Sequence, residues 1–228
     1  MKKCAYLTID DAPSREFRWK IDYLDQQGID AIIFCIGNQV YEQPQKDDLI
    51  YALEKGYSLG NHSYSHRRFS TIGFDQIKKE ISKTEKIIEN LHTEAGVPRR
   101  VKVFRFPYGD MGGKNSELIQ NHLREEGFRK PSFENILYDF YTEHERNNVD
   151  LYWTFNVMEY DFVSESDIQK RLNQEDGRLG CEIEDVGGRL DSPSNEVINI
   201  HDYAYTTKYF PKIIESLVEK GISFLDVV

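Results

Sequence analysis

Short apolar runs alternate with helical patterns along this chain, and that alternation constrains the fold more than any other feature. Strands separated by helices pair in parallel and bury both faces of their sheet. Residues 5–9, 31–36, 57–59, 101–106, 152–157, 197–200 and 222–227 read as strands. Apolar residues at helical spacing predict helices over 17–27, 47–55, 74–91, 116–126 and 211–220. The clearest is 74–91, where Phe74, Ile77, Ile81, Ile88 and Leu91 form one stripe with charges between. Residues 133–150 and 177–195 are polar and dotted with aromatics, and long loops are expected there.

No repeat or Pro/Ser-rich linker divides the 228 residues, so one domain over 1–228 is expected. A hydrophobic fraction of 39% suffices for a core. The net charge of −10, from 29 basic and 39 acidic residues, argues against nucleic acid, whose phosphates need a basic surface. No run approaches the roughly 18 apolar residues of a membrane span, so no membrane insertion is expected. The apolar run near Met1 is too short for a signal peptide, which places the sequence as it stands in the cytoplasm, and outside if a leader precedes it. Cys4, Cys35 and Cys181 lack companions at zinc-like spacing and read as reduced thiols.

Polar residues recur where the strands end. Asp10-Asp11 closes the first, His62 and His66 follow the third, Arg105 ends the fourth, and His201-Asp202 follows residues 197–200. The carboxyl ends of parallel strands meet on one face, so these groups are expected to converge. Read singly, each has a plainer explanation. Asp-Asp before Ala-Pro also begins turns and caps helices. His-x-x-x-His binds metals but is often two surface histidines. His92, His122 and His144 read as surface residues.

Taken in order, Thr8-Ile9-Asp10-Asp11, His62-Ser63-Tyr64-Ser65-His66, Arg105-Phe106-Pro107-Tyr108-Gly109 and Ile200-His201-Asp202 resemble the polysaccharide deacetylases, the NodB-homology group or carbohydrate esterase family 4. The resemblance is nearly continuous from residue 5 to Asp110 and returns near 156–162 and 197–202. It implies a single-domain α/β fold, a distorted (β/α) barrel with fewer than eight complete units. It further implies that Asp11, His62 and His66 hold a divalent metal, most often Zn²⁺, with Co²⁺, Ni²⁺ or Mn²⁺ as substitutes. Asp10 is then the general base, Arg105 its partner, the Tyr108 backbone N–H an oxyanion donor, and His201 the general acid, supported by Asp161. The implied substrate is an N-acetylated saccharide.

That chemistry is coherent on its own terms. Metal binding lowers the pKa of water to roughly 7, two imidazoles and a carboxylate leave coordination positions open, and each positioned proton transfer contributes about 10²–10⁴-fold. The chain departs from the family pattern at Ile9, Ala12 and Phe162, usually Phe, Gly and Trp, the last expected to change a pocket wall. Asn199 replaces the leucine that lines the acetyl-methyl pocket, so a polar amide is expected on that wall. The stretch 130–151 is long enough to remodel the substrate groove. Two other readings compete: hydrolysis of a different non-peptide C–N bond in a small amide substrate (a cyclic imide or ureide), and a carbohydrate-binding relative without turnover. Oligomeric state is not legible.

Overall fold

The first strand, β1 (Cys4–Ala12), is buried along almost its whole length, as a strand covered on both faces must be. It belongs to a computed structural model that describes residues 3–178 and 189–227. The chain continues through α1 (Phe17–Gln27), β2 (Ala31–Cys35), α2 (Gln43–Glu54), β3 (Ser58–Asn61), α3 (Phe74–Ala95) and α4 (Ser116–Glu125). It ends with α5 (Asp139–Asn147), β4 (Phe155–Asn156), α6 (Ser166–Leu172), β5 (Glu196–His201), α7 (Phe210–Glu219) and β6 (Ser223–Phe224).

All described strand pairs are parallel, in the order β3-β2-β1-β5-β4, with β6 against the first residues of β1. Further hydrogen bonds bring the two ends of this sheet round towards each other. Asn61 at the end of β3 bridges to Phe104, and the Phe104 carbonyl accepts from the Leu151 N–H just before β4. The result is a distorted (β/α) barrel with fewer than eight complete units.

Side-chain alternation then sorts the core. Ala5, Leu7 and Ile9 of β1, Ile33 of β2 and Ile198 and Ile200 of β5 pack outward with apolar residues of α1, α2, α6 and α7. The opposite positions (Tyr6, Ile32, Phe34 and Val197) join Val103, Leu151 and Trp153 in a second cluster inside the barrel. A third, around Phe104 and Phe106, lies under α3 and α4. Among the described residues, no helix is long and apolar enough to cross a membrane.

Several elements differ from the sequence reading. Residues 101–106 form a single bridge and not a strand, because their backbone bonds go to three separate segments: Asn61, Leu151 and Arg129. The strands expected over 152–157 and 222–227 shrink to two residues each. The loop expected over 133–150 contains α5, whose buried face is Tyr141 and His144, not an aliphatic stripe. His144 is therefore not a surface residue; it pairs with buried Asp150 at 3.0 Å. Cys35 is a buried free thiol, whereas Cys181 and much of 177–195 lie outside the described residues.

Candidate active site

Adjacent residues of a regular strand point to opposite faces, yet Asp10 and Asp11 both line one cavity. The β1–β2 register explains this. Ile9 pairs with Ile33 but Ala12 pairs with Cys35, so three residues of β1 span what two span on β2. The extra residue is a bulge, and Asp11 takes the left-handed φ of 65° that re-aims its side chain. Ser63, His66 and Tyr108 are also in left-handed backbone, at 64°, 53° and 59°. Such conformations cost about 1–3 kcal/mol each and persist where the surroundings impose them.

The histidine loop is held from beneath. Asn61 accepts from the Ser63 N–H and donates to the Ile81 carbonyl, and Glu80, on the buried face of α3, accepts from Ser65 N (2.7 Å) and Oγ (2.9 Å). His62 Nδ1 lies 2.9 Å from the Arg105 carbonyl. A carbonyl only accepts, so Nδ1 carries the hydrogen and the Nε2 lone pair faces the cavity. Burial pushes His62 down to about 4, so it is neutral near pH 7. Its Nε2 lies 3.5 Å from Asp11 Oδ1, and His66 Nε2 lies 3.0 Å from the same oxygen. Burial alone would raise Asp11; His66, 3.0 Å away, and the neighbouring imidazoles hold it well below the usual carboxylate range. Tyr203 donates to Asp11 Oδ2.

Arg105 is 1% exposed and lies over the Phe34 ring at 4.3 Å. That ring has room because residue 60 is glycine: a Cβ there would meet Phe34 at 2.6 Å. Nη1 of Arg105 reaches Asp10 Oδ1 (2.8 Å), Thr8 Oγ1 (2.8 Å) and Asn199 Oδ1 (3.0 Å). Asn199 Nδ2 donates to Asp10 Oδ2 at 3.0 Å. Asn199 is fully buried and does not line the cavity, so the expectation that it forms the acyl-pocket wall is corrected. Phe162 likewise packs on Tyr209 away from the cavity; the tryptophan on the cavity wall is Trp153.

His201 ends β5, beside Asp10 in register. Its Nδ1 lies 3.3 Å from Glu159 Oε1, which also accepts from the His201 backbone N–H. The supporting carboxylate expected at Asp161 is therefore Glu159. Asp161, two residues on in a 3₁₀ turn, lines the same cavity but pairs with Arg178 at 2.7 Å. Burial would lower His201, but the charge and hydrogen bonding of Glu159, with Asp11 and Asp10 behind, raise it to about 9. It is the charged, proton-donating form at neutral pH. Tyr108 covers His66, ring centroids 4.5 Å apart, at the cavity mouth. The cavity measures ≈ 480 Å³ and its mouth is rimmed by Arg68, Tyr160, Tyr203 and Tyr205.

Asp10, Asp11, His62, His66, Tyr108, Asp161 and His201 thus line one cavity, with Arg105 immediately behind Asp10. Glu159, Thr8, Tyr203 and Glu80 were not singled out from sequence. Glu159 belongs to the same Glu-Tyr-Asp tripeptide as Asp161, and Tyr203 stands two residues past His201. Among the described residues, Asp11, His62 and His66 form a cluster whose donor atoms lie within 4.8 Å of one another. Asp11 Oδ1 is buried without an aligned hydrogen bond. A buried carboxylate oxygen facing two imidazole nitrogens, one with its lone pair fixed towards it, suits a divalent cation.

The fold and the strand-end cluster define a NodB-like (β/α) barrel. The polysaccharide deacetylase family model matches residues 1–129, more than half of the sequence, and the chain belongs to that family. It is 27% identical over 225 residues to a peptidoglycan-N-acetylglucosamine deacetylase of Bacillus cereus, a match covering 98% of this chain and 68% of that protein. A second match to a B. cereus protein of that name is 34% identical over 119 residues, 52% of this chain and 38% of the relative's length. Among solved structures, the polysaccharide deacetylase Bc1974 from B. cereus has a TM-score of 0.68 at 23% identity, covering 98% of this chain and 91% of that one. A family 4 carbohydrate esterase from Streptomyces lividans in complex with acetate has 0.65 at 21%, covering 97% and 91%. At these identities the two structures share the fold.

Proposed function

We propose that this chain is a metal-dependent hydrolase that removes the N-acetyl group from an amino sugar or its oligo- or polysaccharide, releasing acetate and a free amine. The observation that carries the reading is that Asp10 and His201, register partners on adjacent strands, line the same cavity as the three-donor cluster. Asp10 adjoins the His62 edge, and His201 is backed by Glu159. Deacetylase names among the relatives support the reaction class and an N-acetylated glycan as substrate.

Asp11, His62 and His66 would hold the ion, zinc by donor type. When bound it acts as a Lewis acid that acidifies water and polarises the acetyl carbonyl. Asp10, kept beside a guanidinium, accepts the proton of the attacking water as the new C–O bond forms. The Tyr108 backbone N–H donates to the carbonyl oxygen as it gains charge. As the C–N bond breaks, His201 delivers its proton to the departing nitrogen, leaving a neutral amine. The aromatic rim gives sugar rings apolar faces to stack on.

The test couples metal analysis to an acetate-release screen over chitooligosaccharides, peptidoglycan fragments and free N-acetylhexosamines. About one equivalent of metal is expected, lost in Asp11→Ala or His62→Ala. Asp10→Asn is expected to keep the metal and lose at least about 10²-fold in acetate release. Protein that neither carries nor takes up a divalent metal would overturn the reading, as would full turnover by Asp10→Asn. Cleavage of imides in place of acetamides would assign the different C–N bond.

A further inference from the structure

The geometry points to Asn199 as a positioning residue for Asp10, holding one oxygen of the carboxylate while Arg105, to which Asn199 is itself bonded, holds the other. This deepens the deacetylase reading and rests on it. Asn199 is fully buried one step below His201 on the same inward face of β5, since positions two apart on a strand share a face.

The orientation of its amide is fixed by its partners. Arg105 Nη1 can only donate, so the atom 3.0 Å from it is the carbonyl oxygen. Asp10 Oδ2 as a carboxylate only accepts, so the atom 3.0 Å from it is the NH₂. Thr8 reinforces the same arrangement: its hydroxyl accepts from Arg105 at 2.8 Å and lies 3.0 Å from the Ile198 carbonyl and 3.2 Å from Asn199 Oδ1.

Asp10 is thereby gripped at both oxygens, Oδ1 by Arg105 and Oδ2 by Asn199. With Arg105 alone the carboxylate could turn about its Cβ–Cγ bond, a soft torsion. With both donors it cannot turn without breaking one. The oxygen Asn199 holds is the one nearer the metal cluster, 3.8 Å from His62 Nε2. A leucine at 199 would supply neither donor nor acceptor, leaving Asp10 Oδ2 without the hydrogen bond that Asn199 gives it. The side chain of residue 199 sets the base and not the acyl wall.

Asn199→Leu and the smaller Asn199→Ala test this, with Thr8→Val against Thr8→Ser as a second pair. Metal content and KM for a chitooligosaccharide are expected to hold, while kcat falls about ten- to a hundredfold, the scale of a displaced catalytic group. Thr8→Val should lower kcat in the same direction and Thr8→Ser should restore it. Preference for acetyl over propionyl should not change. A crystal structure of Asn199→Leu beside the unsubstituted protein gives a readout independent of turnover: the Asp10 carboxylate should rotate away from its two-point grip. An unchanged kcat, a changed acyl preference, or an unmoved Asp10 in that crystal would each overturn the assignment. Absence of acetate release from the unsubstituted protein would instead fell the parent reading, and the crystallographic comparison would then decide the positioning role by itself.

Discussion

Replacing Glu159 by Gln isolates the electrostatic support of the proposed acid. Oε1 of Glu159 faces His201 Nδ1 at 3.3 Å and also accepts from the His201 backbone N–H. A glutamine carbonyl can keep the backbone contact, so the local fold is expected to hold while the charge is lost. Burial drives His201 down, and Glu159, followed by Asp11 and Asp10, drives it up to about 9. A cation among Asp11, His62 and His66 offsets the pull of the two aspartates but not that of Glu159. Without Glu159, burial dominates and His201 falls to its ordinary value of about 6.5 or below. An acid must be protonated to act, so the basic limb of kcat/KM moves towards lower pH, by about 2.5 pH units. At pH 8 a group titrating at about 9 is roughly nine-tenths protonated, and one titrating at about 6.5 roughly 3%, a loss of up to about thirtyfold. Near pH 6 the two enzymes should nearly converge. Acetate release measured from pH 5 to 10 on an N-acetylated glycan, with Asp161→Asn alongside, checks this. A basic limb unmoved in Glu159→Gln, or moved as far in Asp161→Asn, would refute the assignment of Glu159 as the partner of His201.

Tyr203→Phe removes the hydroxyl that donates to Asp11 Oδ2. Metal affinity, read by competition with a chromogenic chelator, should weaken about 10–100-fold, because groups that orient a ligand typically carry that much. Undiminished affinity would mean the tyrosine does not help position the carboxylate. Lys20→Met strands Asp202, a buried carboxylate paired with Lys20 Nζ at 2.6 Å and with Ser14. Breaking one side of such a pair costs about 3–5 kcal/mol, and denaturant unfolding should register a loss of that order. A loss under about 1 kcal/mol would show that Asp202 is satisfied without the lysine.

The parallel α/β class and the meeting of residues 10, 11, 62, 66, 105 and 201 were legible in the strand–helix alternation, whereas the barrel itself was implied by the family resemblance. Parallel strands send every carboxyl end to the same face, whatever lies between them in sequence. Three features were not legible, for different reasons. The bulge that turns Asp10 and Asp11 to one side depends on a register between β1 and β2 that no local pattern carries. The buried acids of α3, Glu80 and Glu85, look from sequence like solvated positions beside the apolar stripe. Their partners (Ser65 for one, Asn61 and Arg99 for the other) arrive from distant segments. The choice between Glu159 and Asp161 turns on which way a three-residue turn rotates, and carboxylates two apart in such a turn face different neighbours.

Asn199 is the instructive case, because strand periodicity already held the answer. If His201 faces the interior, so does residue 199, one layer further from the strand end, where side chains meet Thr8 and Asp10 of the neighbouring strand. A polar residue buried at that depth must find hydrogen-bond partners, and the nearest are the base and its arginine. The family comparison pulled the reading towards the cavity wall because leucine has no such need. Exchanging an apolar residue for an amide changes what the position must do, since unsatisfied amide groups in a dry interior cost roughly 1–3 kcal/mol. The same reasoning extends to Thr8, whose hydroxyl lies in this layer. In this chain the polar character of positions 8, 10 and 199 should therefore vary together, and an apolar residue introduced at any one of them should be felt first as misplacement of Asp10.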